Sequence, residues 1–195
     1  MNNSQESAKQ EVFEKQVLIL MLGHPGSGKS YFTKQLAPKL HAVRFNADHM
    51  RTSMYDDPDD VRNRANNPYV FGAIDYAVYE TLKAGHTVIC DRQYNYVSER
   101  LKSKAIADQF NVPTIVVWIK TPYDIALKRG QDRPEAPDQR KKTDEQMRGS
   151  LDRFIKVLEQ PTPDEHCVII DGTESFDEQF SSYQEQVAQI IDATT

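Results

Sequence analysis

The sequence has no apolar run long enough to cross a bilayer. The longest run near its N-terminus, Val17 to Leu22, is cut off by Gly23. A membrane-spanning helix needs about 20 apolar residues and a signal-peptide core about 7 to 15, so neither is expected there. Cysteine is nearly absent. Cys90 and Cys167 stand far apart, each inside an apolar, strand-like run with no metal-ligand spacing around it. This excludes a disulfide framework and predicts two small core residues of a reduced, cytoplasmic protein. Positive charge is not in excess either. Lys and Arg number 24 against 29 Asp and Glu, a formal net charge of −5. A general affinity for nucleic acid or an acidic membrane is therefore not expected, although a local basic site stays open. No repeat, low-complexity stretch or linker interrupts the 195 residues, which suit one domain with one core.

What is present is an alternation of short and long patterns. Residues 1–16 are polar and charged with little periodicity and predict a loose extension ahead of a domain spanning 17–195. The β-branched runs Val17–Leu22, Ala42–Asn46, His86–Asp91, Pro113–Lys120 and Cys167–Asp171 predict strands. Between them, Gly28–Leu40, Tyr69–Ala84, Tyr96–Phe110, Tyr123–Gln131 and Thr143–Glu159 read as helices, and a last amphipathic stretch covers about Asp177–Ile191. Strand, helix, strand in this order requires right-handed crossovers. It predicts an α/β fold with a five-stranded parallel sheet and helices on both faces. One segment breaks the order. Arg133 to Lys142 has two prolines and no apolar residue but one alanine, which predicts a small lid near 129–143.

The segment Gly23-His24-Pro25-Gly26-Ser27-Gly28-Lys29-Ser30 matches G-x-x-x-x-G-K-[ST] at every fixed position. It follows a predicted strand and opens a predicted helix, with Tyr31 next in line. Such glycines let backbone N–H groups turn inward around a β-phosphate, and the helix start adds its positive end. Lys29 then bridges β- and γ-phosphates, and the Ser30 hydroxyl holds Mg²⁺. The expected ligands are ATP and Mg²⁺.

Fold alone does not give a reaction. Asp48 and Arg51 close the second predicted strand, and in a parallel sheet that strand end shares an edge with the phosphate loop. If a helix starts there they share a face, and a carboxylate beside a guanidinium suits a hydroxyl acceptor. Asp48 could instead be a plain helix cap. Asp91 ends the third strand, where it could hold the water shell of Mg²⁺, orient Arg51, or merely begin a turn. Arg92 follows it, with no indication of where its side chain points. Arg129 and Arg133 stand at the foot of the lid, suited to stacking on adenine and to neutralising a phosphoryl in transfer. From Lys128 to Lys142 six basic residues face three acidic ones, although Arg140 to Lys142 read more simply as a solvated run. Asp171-Gly172-Thr173 ends the fifth strand and could line an adenine pocket.

Together, the phosphate loop, Asn46-Ala47-Asp48 with Arg51, Asp91, Arg129 and Arg133 resemble the kinase domain of phage-type polynucleotide 5′-hydroxyl kinases. The wider group includes zeta-toxin-like and gluconate-kinase-like small P-loop kinases. The resemblance spans about Val17 to Ser175. It implies that Asp48 is the general base, that Arg51 contacts the acceptor phosphate and that Asp91 supports this arginine. It further implies that Arg129 and Arg133 serve the nucleotide and the transition state. The acceptor is then a nucleic-acid 5′ end or a small sugar, polyol or drug-like molecule. Four aspartates at 56, 57, 59 and 60 sit poorly with a polyanion. The rival readings are a plain ATPase and a nucleotide-dependent switch.

Overall fold

Strand β1 (Leu18–Leu22) is the centre of the molecule, because none of its five apolar side chains reaches solvent. The computed structural model of the chain describes residues 15–57, 60, 63–132 and 143–192. Around β1 lie β2 (Val43–Asn46), β3 (Val88–Asp91), β4 (Thr114–Lys120) and β5 (Cys167–Asp171), in the order β2-β3-β1-β4-β5 with every neighbouring pair parallel. The helices between them are α1 (Lys29–Lys39), α2 (Ala47–Met54), α3 (Asn67–Lys83), α4 (Val97–Asp108), α5 (Tyr123–Gln131) and α6 (Asp144–Val157). Helix α7 (Phe176–Asp192) follows β5.

Alternation along the strands divides the core into two faces. Ile19, Met21, Ile89, Val117 and Ile170 pack on α1 and α7 through Phe32, Leu36 and Tyr183. Leu18, Leu20, Val88 and Cys90 turn the other way, onto Ile74, Val78 and Leu82 of α3 and Ala107 of α4. Each such side chain is worth about 1.5–3 kcal/mol when fully buried, so β1 alone anchors both layers. Burial on both sides holds for the inner strands β1 and β3 but not at the edges. In β5, Ile169 is exposed and its backbone N–H is taken by the Gln186 side chain.

Helix α2 is an element that the apolar periodicity does not mark. It forms because Asn46 accepts from the His49 N–H at 2.8 Å and so caps it. Helix α6 begins with a reciprocal cap between Thr143 and Gln146. It packs on α5 through a separate small cluster of Ala126, Leu127, Met147 and Leu151. Segment 133–142 between these helices, which carries Arg133 and the expected lid, lies outside the described residues, as does the N-terminal extension up to residue 14.

A buried arginine ties the far end of this layer together. Arg100 of α4 donates to both carboxylate oxygens of Glu165, at 2.5 and 3.1 Å, and to the carbonyls of Tyr94 and Glu159. Both cysteines are free thiols, as expected of core residues, with Cys90 buried and Cys167 partly so. Burial pushes their thiols up to about 12 and about 11 respectively, far from thiolate chemistry at neutral pH. Among the described residues no helix is long and apolar enough to cross a membrane.

Candidate nucleotide and acceptor site

The chain between β1 and α1 folds back on itself through glycines that take backbone conformations side chains resist. Gly23, Gly26 and Gly28 have φ of 145°, 76° and 100°. At Gly26 there is also no room, since a Cβ would lie 2.3 Å from the Ala126 carbonyl oxygen of α5. The conformation alone costs an L-residue about 1–3 kcal/mol. Gly26→Ala is therefore expected to lower the melting temperature and weaken nucleotide binding tenfold or more, both measurable by calorimetry. Unchanged values would mean that loop and α5 are not rigidly matched.

Lys29, at the start of α1, turns its ammonium back over the loop and donates to the carbonyls of Gly23 at 2.6 Å and His24 at 3.0 Å. His24 is a shaping residue. Its Nε2 is 2.8 Å from the Thr121 carbonyl and its Nδ1 3.0 Å from that of Pro25, with the ring edge-on to Phe154. Thr121, just past β4, also donates its hydroxyl to the Ser27 carbonyl at 2.8 Å. Nothing in the sequence marks Thr121 beyond its place at a strand end. Tyr31 is half exposed on the first turn of α1.

Arg129 lies beside the loop. Its Nη1 donates to the Gly172 carbonyl at 2.6 Å and lies 3.8 Å from where a Cβ of Gly28 would stand. A Cβ on Gly172 would come within 2.5 Å of the Ser27 carbonyl, so the Asp171-Gly172-Thr173 turn abuts the phosphate loop directly. Thr173 itself is engaged by Asp171, donating from its hydroxyl at 2.6 Å and its N–H at 2.7 Å. Those two bonds hold the Asp171 carboxyl below the usual range.

On the other side of the loop, α2 brings Asp48 and Arg51 together. Arg51 Nη1 donates to Asp48 Oδ1 at 2.6 Å, and its Nη2 to Asn67 Oδ1 at 2.8 Å. The Asp48 side chain is 69% exposed while that of Arg51 is 17% exposed. Asp48 does not cap the helix, since Asn46 does.

Asp91 is held differently from what the resemblance implies. Its Oδ2 accepts from the Arg44 guanidinium, from Asn46 Nδ2 at 2.8 Å and from Thr33 Oγ1 at 3.1 Å. Arg44, not Arg51, is its partner. The cause is register: β2 and β3 pair with Asn46 opposite Asp91, and Arg44 stands two residues back, on the same side of the strand as Asn46. Two polar residues at period two in a short strand were the available signal for Arg44. Thr33 Oγ1 also reaches back to the Ser30 carbonyl at 3.5 Å, which joins the start of α1 to Asp91. Among the described residues no group of three or more His, Cys, Asp or Glu could cage a metal by itself. The Ser30 hydroxyl and Asp91 instead suit an ion whose other ligands are phosphate oxygens and water, the habit of Mg²⁺.

A phosphate loop at the head of the central strand of a β2-β3-β1-β4-β5 parallel sheet defines a P-loop nucleotide-binding protein with the fold of the P-loop kinases. The chain belongs to the AAA domain family, whose model matches residues 18–161. It is similar to the L-seryl-tRNA(Sec) kinase of Methanococcus maripaludis, 23% identical over 176 residues that cover 90% of this chain. The chain spans 65% of that relative's length. In fold it is similar to a gluconokinase from Sinorhizobium meliloti, with a TM-score of 0.67, 16% identity and coverage of 93% of this chain and 96% of the other. Chaetomium thermophilum Kti12, solved with ADP-AlF3, superposes with a TM-score of 0.65 at 20% identity over 91% of this chain and 99% of the other.

Proposed function

We propose that the protein is an ATP- and Mg²⁺-dependent kinase that transfers the γ-phosphate to a hydroxyl group of a second substrate. The observation that carries this reading is the Asp48–Arg51 pair. It presents an exposed carboxylate, fixed by a guanidinium, on the sheet edge that also holds the phosphate loop. A plain ATPase has water to orient but no acceptor for Arg51 to grip. A switch needs no proton acceptor.

In the reaction, backbone N–H groups of Gly23 to Ser30 bind the nucleotide phosphates and Lys29 neutralises charge on the β- and γ-phosphates. Asp48 takes the proton of the acceptor hydroxyl as its oxygen forms the new bond to phosphorus. The bond to the β-phosphate oxygen breaks and ADP leaves. Arg51 grips the acceptor, and Arg129 lies beside the nucleotide. Ser30 and Asp91 would hold Mg²⁺ directly or through water. When bound, that ion supplies positive charge to the phosphate oxygens. Arg133, outside the described residues, is assigned to the transferring phosphoryl by sequence alone. The similar proteins named as a seryl-tRNA kinase and a gluconokinase support the reaction class.

Arg51→Ala tests the acceptor side. It should raise the acceptor concentration for half-saturation tenfold or more while the nucleotide dissociation constant stays within about twofold, because a lost charge-assisted hydrogen bond is worth about 1.5–3 kcal/mol. If both affinities fall together, or neither does, Arg51 does not meet the acceptor.

A further inference from the structure

Arg92 is the least satisfied charge near this site. It is 6% exposed, and its Nε and Nη1 are buried with no hydrogen-bond partner among the described residues. The guanidinium carbon instead lies 4.3 Å from the centre of the Phe71 ring and 4.2 Å from that of Tyr94. Two aromatic faces attract a cation but satisfy none of its N–H groups. A guanidinium buried without acceptors is costly, and structures that keep one usually bring it a partner.

Among the described residues no side chain is that partner. Asp75 is engaged by Lys102 Nζ at 2.7 Å. Glu99 feels the Arg92 charge, which offsets part of the rise its carboxyl suffers from burial.

The position of Arg92 is equally specific. It follows Asp91 at the end of β3, on the sheet edge that carries the phosphate loop, and the strand alternation turns it toward α3 while Asp91 turns toward α1. On α3, Asn67 holds Arg51 and Phe71 holds Arg92. Residues four apart on a helix share a face, so the two side chains that hold these guanidiniums lie on one face of α3.

We propose that Arg92 is an acceptor-binding residue, and that with Arg51 it receives a phosphate or carboxylate group of a small hydroxyl compound. This rests on the kinase reading and narrows its acceptor. A small anionic substrate is favoured over a polynucleotide end because Arg92 is deep and because Asp56, Asp57 and Asp60, exposed on the chain after α2, repel an extended polyanion.

The test is calorimetry on the full chain. A non-hydrolysable ATP analogue with Mg²⁺ is first brought to saturation, so that the phosphate loop is filled. Inorganic phosphate, acetate and a 5′-hydroxyl oligonucleotide are then titrated separately. The parent should bind phosphate or acetate, whichever the site is built for. Arg92→Met should weaken that binding tenfold or more while nucleotide affinity stays within about twofold. A second reading needs no variant at equilibrium: the Arg92 Nε–H resonance of the ¹⁵N-labelled parent, assigned with Arg92→Lys, should shift as the anion is added. Anion binding that survives in Arg92→Met, an unmoved Nε–H resonance, or tight binding of the oligonucleotide alone would overturn the proposal. Failure of the nucleotide to bind in the first titration would instead overturn the kinase reading on which it rests.

Discussion

Lys29→Ala should abolish phosphoryl transfer, with at least a hundredfold loss of turnover at saturating ATP. The Lys29 ammonium is the cation that the structure places over the loop, within 2.6 and 3.0 Å of the Gly23 and His24 carbonyls. Charge spreads over the γ-phosphoryl oxygens in the transition state. A preorganised donor aimed at that charge is worth about 10²–10³ in turnover even when it is a single neutral hydrogen bond. Folding should survive, because Lys29 lies at a helix start and donates to carbonyls of the loop. Steady-state turnover with a melting curve on the same sample checks both halves. A folded variant with near-parent turnover would remove the phosphate loop from the chemistry.

Asp48→Asn should lower turnover by about 10²–10⁴, the usual contribution of a positioned general base, with nucleotide affinity unchanged. The structure sharpens this expectation. Had Asp48 capped α2, the substitution would be nearly silent, because Asn caps as well as Asp. The cap is Asn46, so Asp48 is released from that duty. Its remaining partner is Arg51, and Asn can still accept that hydrogen bond. Stability should therefore change by less than about 1 kcal/mol, as for exposed ion pairs generally. Parent-like turnover would show that Asp48 does not touch the acceptor proton.

The inner strands β1, β3 and β4 were legible because their burial is written as apolar runs. β5 is found with the bounds expected for it, and β1, β2, β3 and β4 with small trims at their starts. Helix α2 was not, because its start depends on one side-chain cap and its burial on a single alanine, neither of which leaves an apolar period. The glycines of the phosphate loop could be read because positive φ at Gly23, Gly26 and Gly28, with close packing at Gly23 and Gly26, disfavours any side chain there. The tertiary partners could not. That Asp91 belongs to Arg44, and that Arg51 rests on Asn67, follow from strand register and from how α2 lies on α3, which no local pattern encodes. Arg92 shows the same limit: its isolation between Phe71 and Tyr94 exists only in the folded chain.

Following the label decides whether the γ-phosphate goes to a hydroxyl group or to water. The protein is incubated with γ-labelled ATP, Mg²⁺ and, in separate reactions, 5′-hydroxyl oligonucleotides, neutral polyols and small hydroxyl compounds bearing phosphate or carboxylate. Label is expected in an alkali-stable phosphoester of the last class, absent with Lys29→Ala and strongly reduced with Asp48→Asn. Label recovered only as free phosphate, at a rate indifferent to every acceptor, would contradict that expectation.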